Sequence, residues 1–327
     1  EGEVLDRDSV QSSIRRQLGL APDPPERRRS VGAAEAGIAE MMVSLYRSLP
    51  NLLDPLDHDR LHAWHRMVMN GRRDLEAIGR YRTHREPMQI VSGAVYAPRV
   101  HFEAPPSDQV PAEMERFLAW FEDTAPTGSR PLPALTRAGL AHLWFESIHP
   151  FEDGNGRIGR AIAEKALAQG MTQGLADPVL TAVAGTLLKH RKQYYGALEA
   201  ASRDLEITDW LLWFAAKVIE AQRRGLAQVE FIIGKAQLLE RVRGKLNARQ
   251  EKAVLRMFAA GPEGFTGGLS AGNYRGITGA TPATATRDLA DLVALEVLRR
   301  TGERKATRYH LCVPLKPVAT VTIEEIQ

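Results

Sequence analysis

The chain has one cysteine, Cys312, so it can form neither an internal disulfide nor a cysteine-cluster metal site. It contains no run of about 18 apolar residues, and its N-terminus lacks the basic, apolar and small-residue order of a signal peptide. These absences predict a cytoplasmic protein with no membrane partner. The net charge of +3 is small, so the informative question is where the basic residues gather. Cys312 sits in a strand-like stretch, where we expect an inert core thiol.

With 327 residues and 44% hydrophobic content, the chain is long enough for two or three domains with sizeable cores. Its most informative stretch is HPFEDGNGRIGR, residues 149–160. The preceding segment TRAGLAHLWFESI predicts a helix capped by Thr136 and ended by Pro150. The following segment predicts a second helix that closes at Gly170. A turn between them presents backbone N–H groups at a helix N-terminus, which is an anion-binding arrangement.

The residue types in this turn fit phosphate chemistry. Gly154 and Gly156 let backbone amides approach phosphate oxygens without obstruction by a Cβ. Asn155 can cap the second helix or hydrogen-bond a phosphate. Arg157 and Arg160 are spaced i, i+3, so both forks can reach an anion at the mouth of that helix.

Two further side chains complete the predicted site. Asp153 is a hard oxygen ligand suited to a magnesium ion that bridges a polyphosphate. His149 is a candidate general base. Each residue alone has an ordinary structural explanation, but their concentration in twelve residues favours a functional site.

The same residues resemble the signature of the Fic (Fic/DOC) family, which reads His-Pro-Phe, any residue, Asp or Glu, Gly-Asn-Gly-Arg, two residues, Arg. Every specified position matches. The resemblance implies a mainly α protein with a Fic-type helical bundle that binds ATP and Mg2+. It implies transfer of AMP to a hydroxyl of a target protein or of the chain itself, with release of pyrophosphate. The implied roles are base for His149, magnesium ligand for Asp153, phosphate cradle for Asn155 and Gly156, γ-phosphate clamp for Arg160, and second phosphate contact or structural pin for Arg157.

Members of the Fic family catalyse more than one reaction, and the resemblance helps to choose among them. Relatives that act as kinases carry Lys at the position of Gly156, so glycine here favours AMP transfer. Many Fic proteins are restrained by a helix whose glutamate pairs with the last signature arginine and obstructs the γ-phosphate. Glu1 and Gly2 resemble the end of that inhibitory sequence, whose serine or threonine would precede Glu1, so we expect more chain upstream. With such a glutamate present, the same site could instead direct water to remove AMP.

The stretch MQIVSGAVYAPRVHFEAPP, residues 88–106, alternates apolar and polar residues and predicts a β-hairpin. In Fic proteins a hairpin flap before the signature holds the target segment by backbone pairing, so we expect the protein substrate here. Tyr194 and Tyr195 resemble a family position beside the adenine, although core packing explains them equally well. A zinc site formed by His58, His62 and His65 is a weaker alternative, because no fourth ligand has suitable spacing.

Helices before the signature are also predicted from apolar periodicity. One begins at a Ser30 cap and another ends at Gly71. The helix that begins at Ser30 is predicted to face inward with Ile38, Met41, Met42, Leu45 and Leu49. The helix just before the signature helices is predicted to face inward with Met114, Phe117, Leu118 and Phe121.

The last 80 residues differ in character. An Asn247 cap with Gln250 at the box position, a short helix, a helix with Thr281 as cap and a hairpin near Gly302 predict a winged helix-turn-helix domain. We therefore divide the chain into 1–25 (inhibitory region and connector), 26–225 (Fic domain), 226–246 (connector helix) and 247–327 (winged helix). Basic residues gather on the last domain: Arg287, Arg299, Arg300, Arg304, Lys305 and Arg308. DNA and a protein partner, including a second copy in a homodimer, both remain open, as does a DNA-binding regulator whose Fic domain senses nucleotide.

Overall fold

The computed structural model describes residues 5–19, 31–49, 54–94, 97–171, 181–203, 206–265, 267–313 and 318–325. The chain forms two compact units. The first comprises Glu1–Ile219 and Val321–Gln327, and the second comprises Glu220–Thr320. The described chain is mainly helical, as the sequence predicts, with two small antiparallel sheets. No helix within these described ranges combines the length and apolar character that crossing a membrane requires.

Within the described residues, the first unit contains eight α-helices, one β-hairpin and the beginning of a ninth α-helix. In chain order these elements are α1 (Arg7–Gln17), α2 (Ala33–Ser48), α3 (His58–Val68), β1 (Gln89–Ala94), β2 (Ala97–Glu103), α4 (Val110–Asp123), α5 (Ala134–Ile148), α6 (Asn155–Met171), α7 (Val183–Lys189), α8 (Arg191–Ala201) and α9 (Thr208–Arg241). Helix α6 is buried along most of its length, because small residues such as Ala163 and Ala166 alternate with Ile158 and Ile162. The core therefore surrounds the helix that follows the signature turn.

The predicted inward face of α4 is confirmed, since Met114, Phe117, Leu118 and Phe121 are all buried. On α2 the prediction is wrong at Met42, which is 45% exposed, whereas its neighbour Val43 is buried. Successive residues lie about 100° apart around a helix, so Met42 lies opposite the face that its buried neighbours Met41 and Val43 share.

The starts of α5 and α2 differ from the two predicted helix caps or lie beside them. Helix α5 begins at Ala134 and not at the predicted Thr136 cap, because the Pro133 carbonyl already accepts the first helical bond from the Arg137 N–H at 2.9 Å. The predicted Ser30 cap lies outside the described residues. Helix α2 has Gly32 at its N-cap position.

The hairpin predicted for residues 88–106 is confirmed. Strands β1 and β2 pair antiparallel, from Gln89 opposite Glu103 to Ala94 opposite Ala97, with an irregularity between Ile90 and Val91. At the base of the hairpin, Nδ1 of His101 lies 3.0 Å from a carboxylate oxygen of Glu199 on α8. Residues 95 and 96 at the tip lie outside the described residues.

The second unit contains the end of α9 and, within its described residues, three further helices and two strands: α10 (Ala248–Phe258), α11 (Ala271–Thr278), α12 (Pro282–Ala294), β3 (Leu298–Thr301) and β4 (Arg308–Leu311). The predicted capping box of Asn247 and Gln250 is present. The predicted Thr281 cap is present too, since its side chain accepts the Thr284 N–H. Strands β3 and β4 pair antiparallel, and Leu269 forms a bridge with Tyr309.

Cys312 corrects one expectation. The sequence predicts an inert core thiol, but Cys312 is exposed. It follows β4 between two inward-facing apolar residues, Leu311 and Val313. Because side chains alternate along extended chain, the residue between two inward-facing neighbours faces outward.

Candidate active site

The signature turn is built from two backbone conformations that bend the chain between α5 and α6. His149 ends α5 in the left-handed region, with φ 49° and ψ 58°, and Gly154 precedes α6 with φ +80°. A Cβ at Gly154 would also lie 2.8 Å from Cε of Met69. Phe151 fixes the turn in the core, where its ring stacks on the His65 imidazole at a centroid distance of 4.1 Å. The turn therefore places its polar residues around a buried aromatic anchor.

His149 is held as a neutral imidazole. Its Nδ1 lies 3.3 Å from the Glu146 carbonyl oxygen, so Nδ1 carries the proton and Nε2 keeps its lone pair. Burial lowers the pKa of His149 to about 4. At neutral pH the side chain can therefore accept a proton at Nε2.

Asn155 closes the turn on itself. Its side-chain Oδ1 accepts the Phe151 N–H at 2.9 Å, and its Nδ2 donates to the Phe151 carbonyl at 2.8 Å. The side chain is only 2% exposed, so its amide is occupied by the turn. The predicted phosphate cradle would thus consist of the backbone N–H groups of Asn155 and Gly156, in a turn that the Asn155 side chain keeps in place.

Asp153 is surrounded by positive partners. Its Oδ2 accepts Nη1 of Arg72 at 2.5 Å, and its Oδ1 accepts the Gly154 N–H at 2.5 Å. Nη2 of Arg157 lies 3.6 Å from Oδ1. Burial opposes ionisation, but these hydrogen bonds and charges together lower the pKa of Asp153. The Arg157 side chain is 12% exposed and lies beside Asp153. This position favours the structural role over a second phosphate contact.

His65 supports the same loop from α3. Its Nδ1 accepts the Gly79 N–H at 2.8 Å, so Nε2 carries the proton and donates to the Asp153 carbonyl at 3.2 Å. Burial lowers the pKa of His65 to about 4, which keeps the ring neutral. Within the described ranges, no group of three or more His, Cys, Asp and Glu side chains could hold a metal ion. The zinc alternative for His58, His62 and His65 is therefore wrong.

The donor set also limits how magnesium could bind. Asp153 is the one signature carboxylate that faces the turn's positive groups, and its side chain is 33% exposed. Mg2+ usually keeps several waters and takes one or two carboxylates together with substrate phosphates. Asp153 fits that pattern as a single ligand, so a polyphosphate would have to supply further oxygens.

Arg160 is anchored by a buried polar cluster. Its side chain hydrogen-bonds the Tyr194 hydroxyl, which lies 2.8 Å from Nε2 of His142. The Glu146 carboxylate lies beside Gly159, because a Cβ built there would be 2.6 Å from its Oε1. Burial raises the pKa of Tyr194 well above its ordinary value, so the hydroxyl stays protonated.

This cluster corrects the proposed nucleotide contact of Tyr194. The Tyr194 ring is 4% exposed and is packed against His142, Trp210 and Trp213. A ring enclosed in the core cannot stack on a bound base, so Tyr194 contacts the site through Arg160. Tyr195 is 42% exposed, and the prediction that a ring stacks on adenine stays with this residue alone.

Arg82 is a site residue that the sequence does not reveal. Its guanidinium is 1% exposed and donates to carbonyls of His149 at 2.8 Å, Pro105 at 2.6 Å and Ile148 at 3.3 Å. It also donates to the Ser107 hydroxyl at 2.8 Å. An arginine in a loop carries no periodic or capping signal. Only an alignment of related chains could have indicated it from sequence.

The structure describes the predicted hairpin but not the predicted inhibitory residue Glu1. The hairpin forms a two-stranded sheet in the described chain, so each strand has an outer edge available for backbone pairing. Glu1, predicted to pair with Arg160, lies outside the described residues.

Comparison with known proteins finds a family match over the part of the chain that carries this site. Residues 55–167 match the model of the Fic/DOC family, a range that includes the whole signature. A probable protein adenylyltransferase of Aquifex aeolicus (strain VF5) is 26% identical over 118 residues. The aligned part covers 36% of this chain and 30% of that relative. The chain thus matches less than a third of the relative's length.

Two solved structures are similar over longer ranges. A Fic family protein from Desulfovibrio desulfuricans G20 is 21% identical, with a TM-score of 0.49, covering 94% of this chain and 81% of that one. Fic-1 (residues 134–508) from C. elegans is 22% identical, with a TM-score of 0.46, covering 68% of this chain and 58% of that one.

Proposed function

We propose that the chain is a protein adenylyltransferase, on the premise that residues 55–167 match the Fic/DOC family model. It would transfer AMP from ATP to a side-chain hydroxyl of a target protein or of itself. The observation that carries the proposal is the neutral His149, whose Nε2 is free to accept a proton beside a turn of backbone N–H groups.

The proposed reaction is a displacement at the α-phosphorus of ATP. The target hydroxyl oxygen attacks the α-phosphorus, the bond from that phosphorus to the oxygen bridging the β-phosphate breaks, and pyrophosphate leaves. The hydroxyl proton passes to Nε2 of His149. Arg160 and the N-terminus of α6 would hold the β- and γ-phosphates. When bound, Mg2+ on Asp153 would neutralise charge on the leaving pyrophosphate.

Substrate positioning is proposed for the β1–β2 hairpin. An extended target segment can pair with an outer strand edge through main-chain hydrogen bonds, which place a hydroxyl without requiring a particular side chain. His101 at the hairpin base contacts Glu199 on α8, the helix that also carries Tyr194 and Tyr195. This contact would keep the hairpin near the nucleotide.

The experiment is labelling of a cell lysate and of the protein itself with α-labelled or γ-labelled ATP and magnesium. We would compare the wild type with His149→Ala and Glu1→Gly. Label from the α position alone, lost in His149→Ala, is the expected result. An increase in Glu1→Gly would support restraint by Glu1. Label from the γ position would instead establish phosphate transfer and overturn the proposal.

Removal of AMP is the reverse use of the same site, and it is tested separately. An AMP-modified acceptor would be incubated with the wild type and with Glu1→Gly. Release of AMP by the wild type and not by the variant would favour removal over transfer.

A second candidate function, DNA binding by the second unit, is favoured by one observation. The basic side chains of the second hairpin are exposed, namely Arg299, Arg300, Arg304 and Lys305. Three helices followed by this hairpin suit a winged helix whose α12 would enter a groove. The Thr281 and Thr286 hydroxyls are occupied by local bonds, so arginines would supply most contacts. Affinity for duplex DNA that falls steeply with salt would support this candidate, and salt-independent or absent binding would overturn it.

A further inference from the structure

Arg72 lies between two carboxylates at the edge of the signature turn. Its Nε and Nη2 donate to the two carboxylate oxygens of Asp74 at 2.7 and 2.6 Å. Its Nη1 donates to Oδ2 of Asp153 at 2.5 Å. The two aspartates together raise the pKa of Arg72 above its ordinary range, so the guanidinium is a permanent cation in this position.

The Arg72 contact occupies the oxygen that a metal ion would need. Oδ1 of Asp153 already accepts the Gly154 N–H, and Oδ2 is the oxygen that Arg72 contacts. A divalent cation on Oδ2 would meet the positive charge of the guanidinium within contact distance, where repulsion is weakly screened. Arg72 and the cation therefore compete for the same carboxylate.

We propose that Arg72 is a displaceable counter-ion of Asp153: it neutralises the carboxylate before nucleotide binds, and a divalent cation binds only by displacing it. This inference rests on the proposed function, in which Asp153 is the magnesium ligand. Asp74 makes the displacement feasible, because Arg72 keeps a bidentate partner after it leaves Asp153. The Arg72 side chain is 28% exposed and that of Asp74 is 64% exposed, so water can also solvate the released nitrogen.

A functional consequence follows for the order of binding. In the absence of nucleotide, a lone carboxylate that already has an arginine partner should bind Mg2+ weakly. ATP phosphates contribute additional oxygens and negative charge, which favour displacement of Arg72. The site should therefore take up metal and nucleotide together, and metal alone should remain largely unbound.

The test measures Mn2+ affinity by the loss of the free-ion electron paramagnetic resonance signal. Each protein is titrated alone and with an ATP analogue whose methylene bridge between the α- and β-phosphates prevents AMP transfer. Arg72→Gln should bind Mn2+ about five- to tenfold more tightly than wild type without nucleotide, given the strength of a partly exposed ion pair. The matched control is Arg73→Gln, which removes the same charge from the exposed neighbouring residue.

A second pair of variants separates displacement from a general effect of charge. Asp74→Asn removes the alternative partner of Arg72 and should weaken Mn2+ binding. In the Arg72→Gln background the same change should have little effect, because Asp74 would act through Arg72. Equal weakening in both backgrounds would show that Asp74 acts only as a nearby negative charge, and would overturn the proposed role of Asp74.

The outcomes distinguish this inference from the proposed function. If the wild type transfers α-label but Arg72→Gln and Arg73→Gln bind Mn2+ equally, the counter-ion role is overturned and AMP transfer stands. Weaker Mn2+ binding by Arg72→Gln would likewise overturn it, because Arg72 would then assist the metal. If no variant binds Mn2+ even with the analogue, the metal role of Asp153 fails and the counter-ion role fails with it. Thermal unfolding of each variant verifies that it is folded.

Discussion

The Tyr194 hydroxyl connects the predicted phosphate clamp to the core of the first unit. It hydrogen-bonds Arg160 on one side and Nε2 of His142 on the other, and both Tyr194 and His142 are buried. Arginine side chains have many rotamers, so a clamp that must meet a phosphate benefits from a partner that fixes its direction. Tyr194 is therefore a positioning residue.

We predict that Tyr194→Phe raises the KM for ATP and lowers kcat/KM roughly tenfold, the effect of losing one hydrogen bond to a charged group. The phenyl ring keeps the packing against Trp210 and Trp213, so the fold should persist. Because Arg160 would lose only its orientation, the KM should change more than kcat. Steady-state labelling at several ATP concentrations measures both constants.

Tyr195→Phe is the control for this prediction. It removes the same hydroxyl from the adjacent residue, whose ring is 42% exposed and is not part of the Arg160 cluster. An aromatic ring remains available for stacking, so activity should be unchanged. Equal losses in the two variants would contradict the positioning role of Tyr194.

The sequence revealed the residues of the turn but not the side chains that support it. His149, Asp153 and Arg160 lie within twelve residues, so their clustering is visible without a structure. Arg72, Arg82 and His65 contact the same turn from 67 to 88 positions earlier in the chain. Such pairings depend on how helices pack, which periodicity does not specify. The burial of Tyr194 was similarly undecidable, because two adjacent tyrosines on a helix give no rule for which faces inward.

Among the elements, the segment between α3 and β1 contributes most to the shape of the active site without belonging to the signature. Beyond the contacts of Arg72, its Glu76 N–H donates to the Glu152 carboxylate at 3.0 Å. Its Arg82 N–H donates to the Pro150 carbonyl at 2.9 Å. This segment therefore contacts the turn at several points, and it contains the buried Arg82 side chain.

We predict that Arg82→Met destabilises the first unit by about 3 kcal/mol or more, because several buried acceptors would lose their donor. The methionine fills part of the volume, so the loss reflects hydrogen bonding more than a cavity. Chemical denaturation monitored by tryptophan fluorescence provides the free energy of unfolding. Arg85→Met, at an exposed position of the same segment, is the control. A similar stability for both variants would contradict the predicted role of Arg82.

Element boundaries were predictable where a local chemical signal exists. Asn247, Gln250 and Thr281 cap their helices as predicted, since capping depends only on neighbouring residues. The start of α5 was misjudged because Pro133 supplies a carbonyl and no side-chain cap. The chain breaks between α7 and α8 at His190, where the sequence has no glycine or proline. No local sequence signal therefore predicts this break.

The chain forms two units, and the second has its own hydrophobic cluster and a buried polar centre. Asp288 on α12 is 3% exposed and accepts hydrogen bonds from Arg249 at 2.9 and 3.1 Å. It also accepts from the Tyr274 hydroxyl at 2.9 Å and from Asn247 at 3.1 Å. One carboxylate thus links residues of all three helices α10, α11 and α12, or of their caps.

Because every one of these partners belongs to the second unit, we predict that Asp288→Ala destabilises that unit by about 2 to 4 kcal/mol and leaves the first unchanged. Calorimetry should then show a separate transition at lower temperature, while the transition that ATP analogue and Mg2+ shift upward stays in place. Asp291→Ala, at an exposed position of the same helix, should leave both transitions unaltered. Asp288→Ala could instead lower the midpoint temperature of a single transition that still responds to nucleotide. The two units would then unfold together, which would contradict the prediction that DNA binding and AMP transfer belong to independently stable parts of the chain.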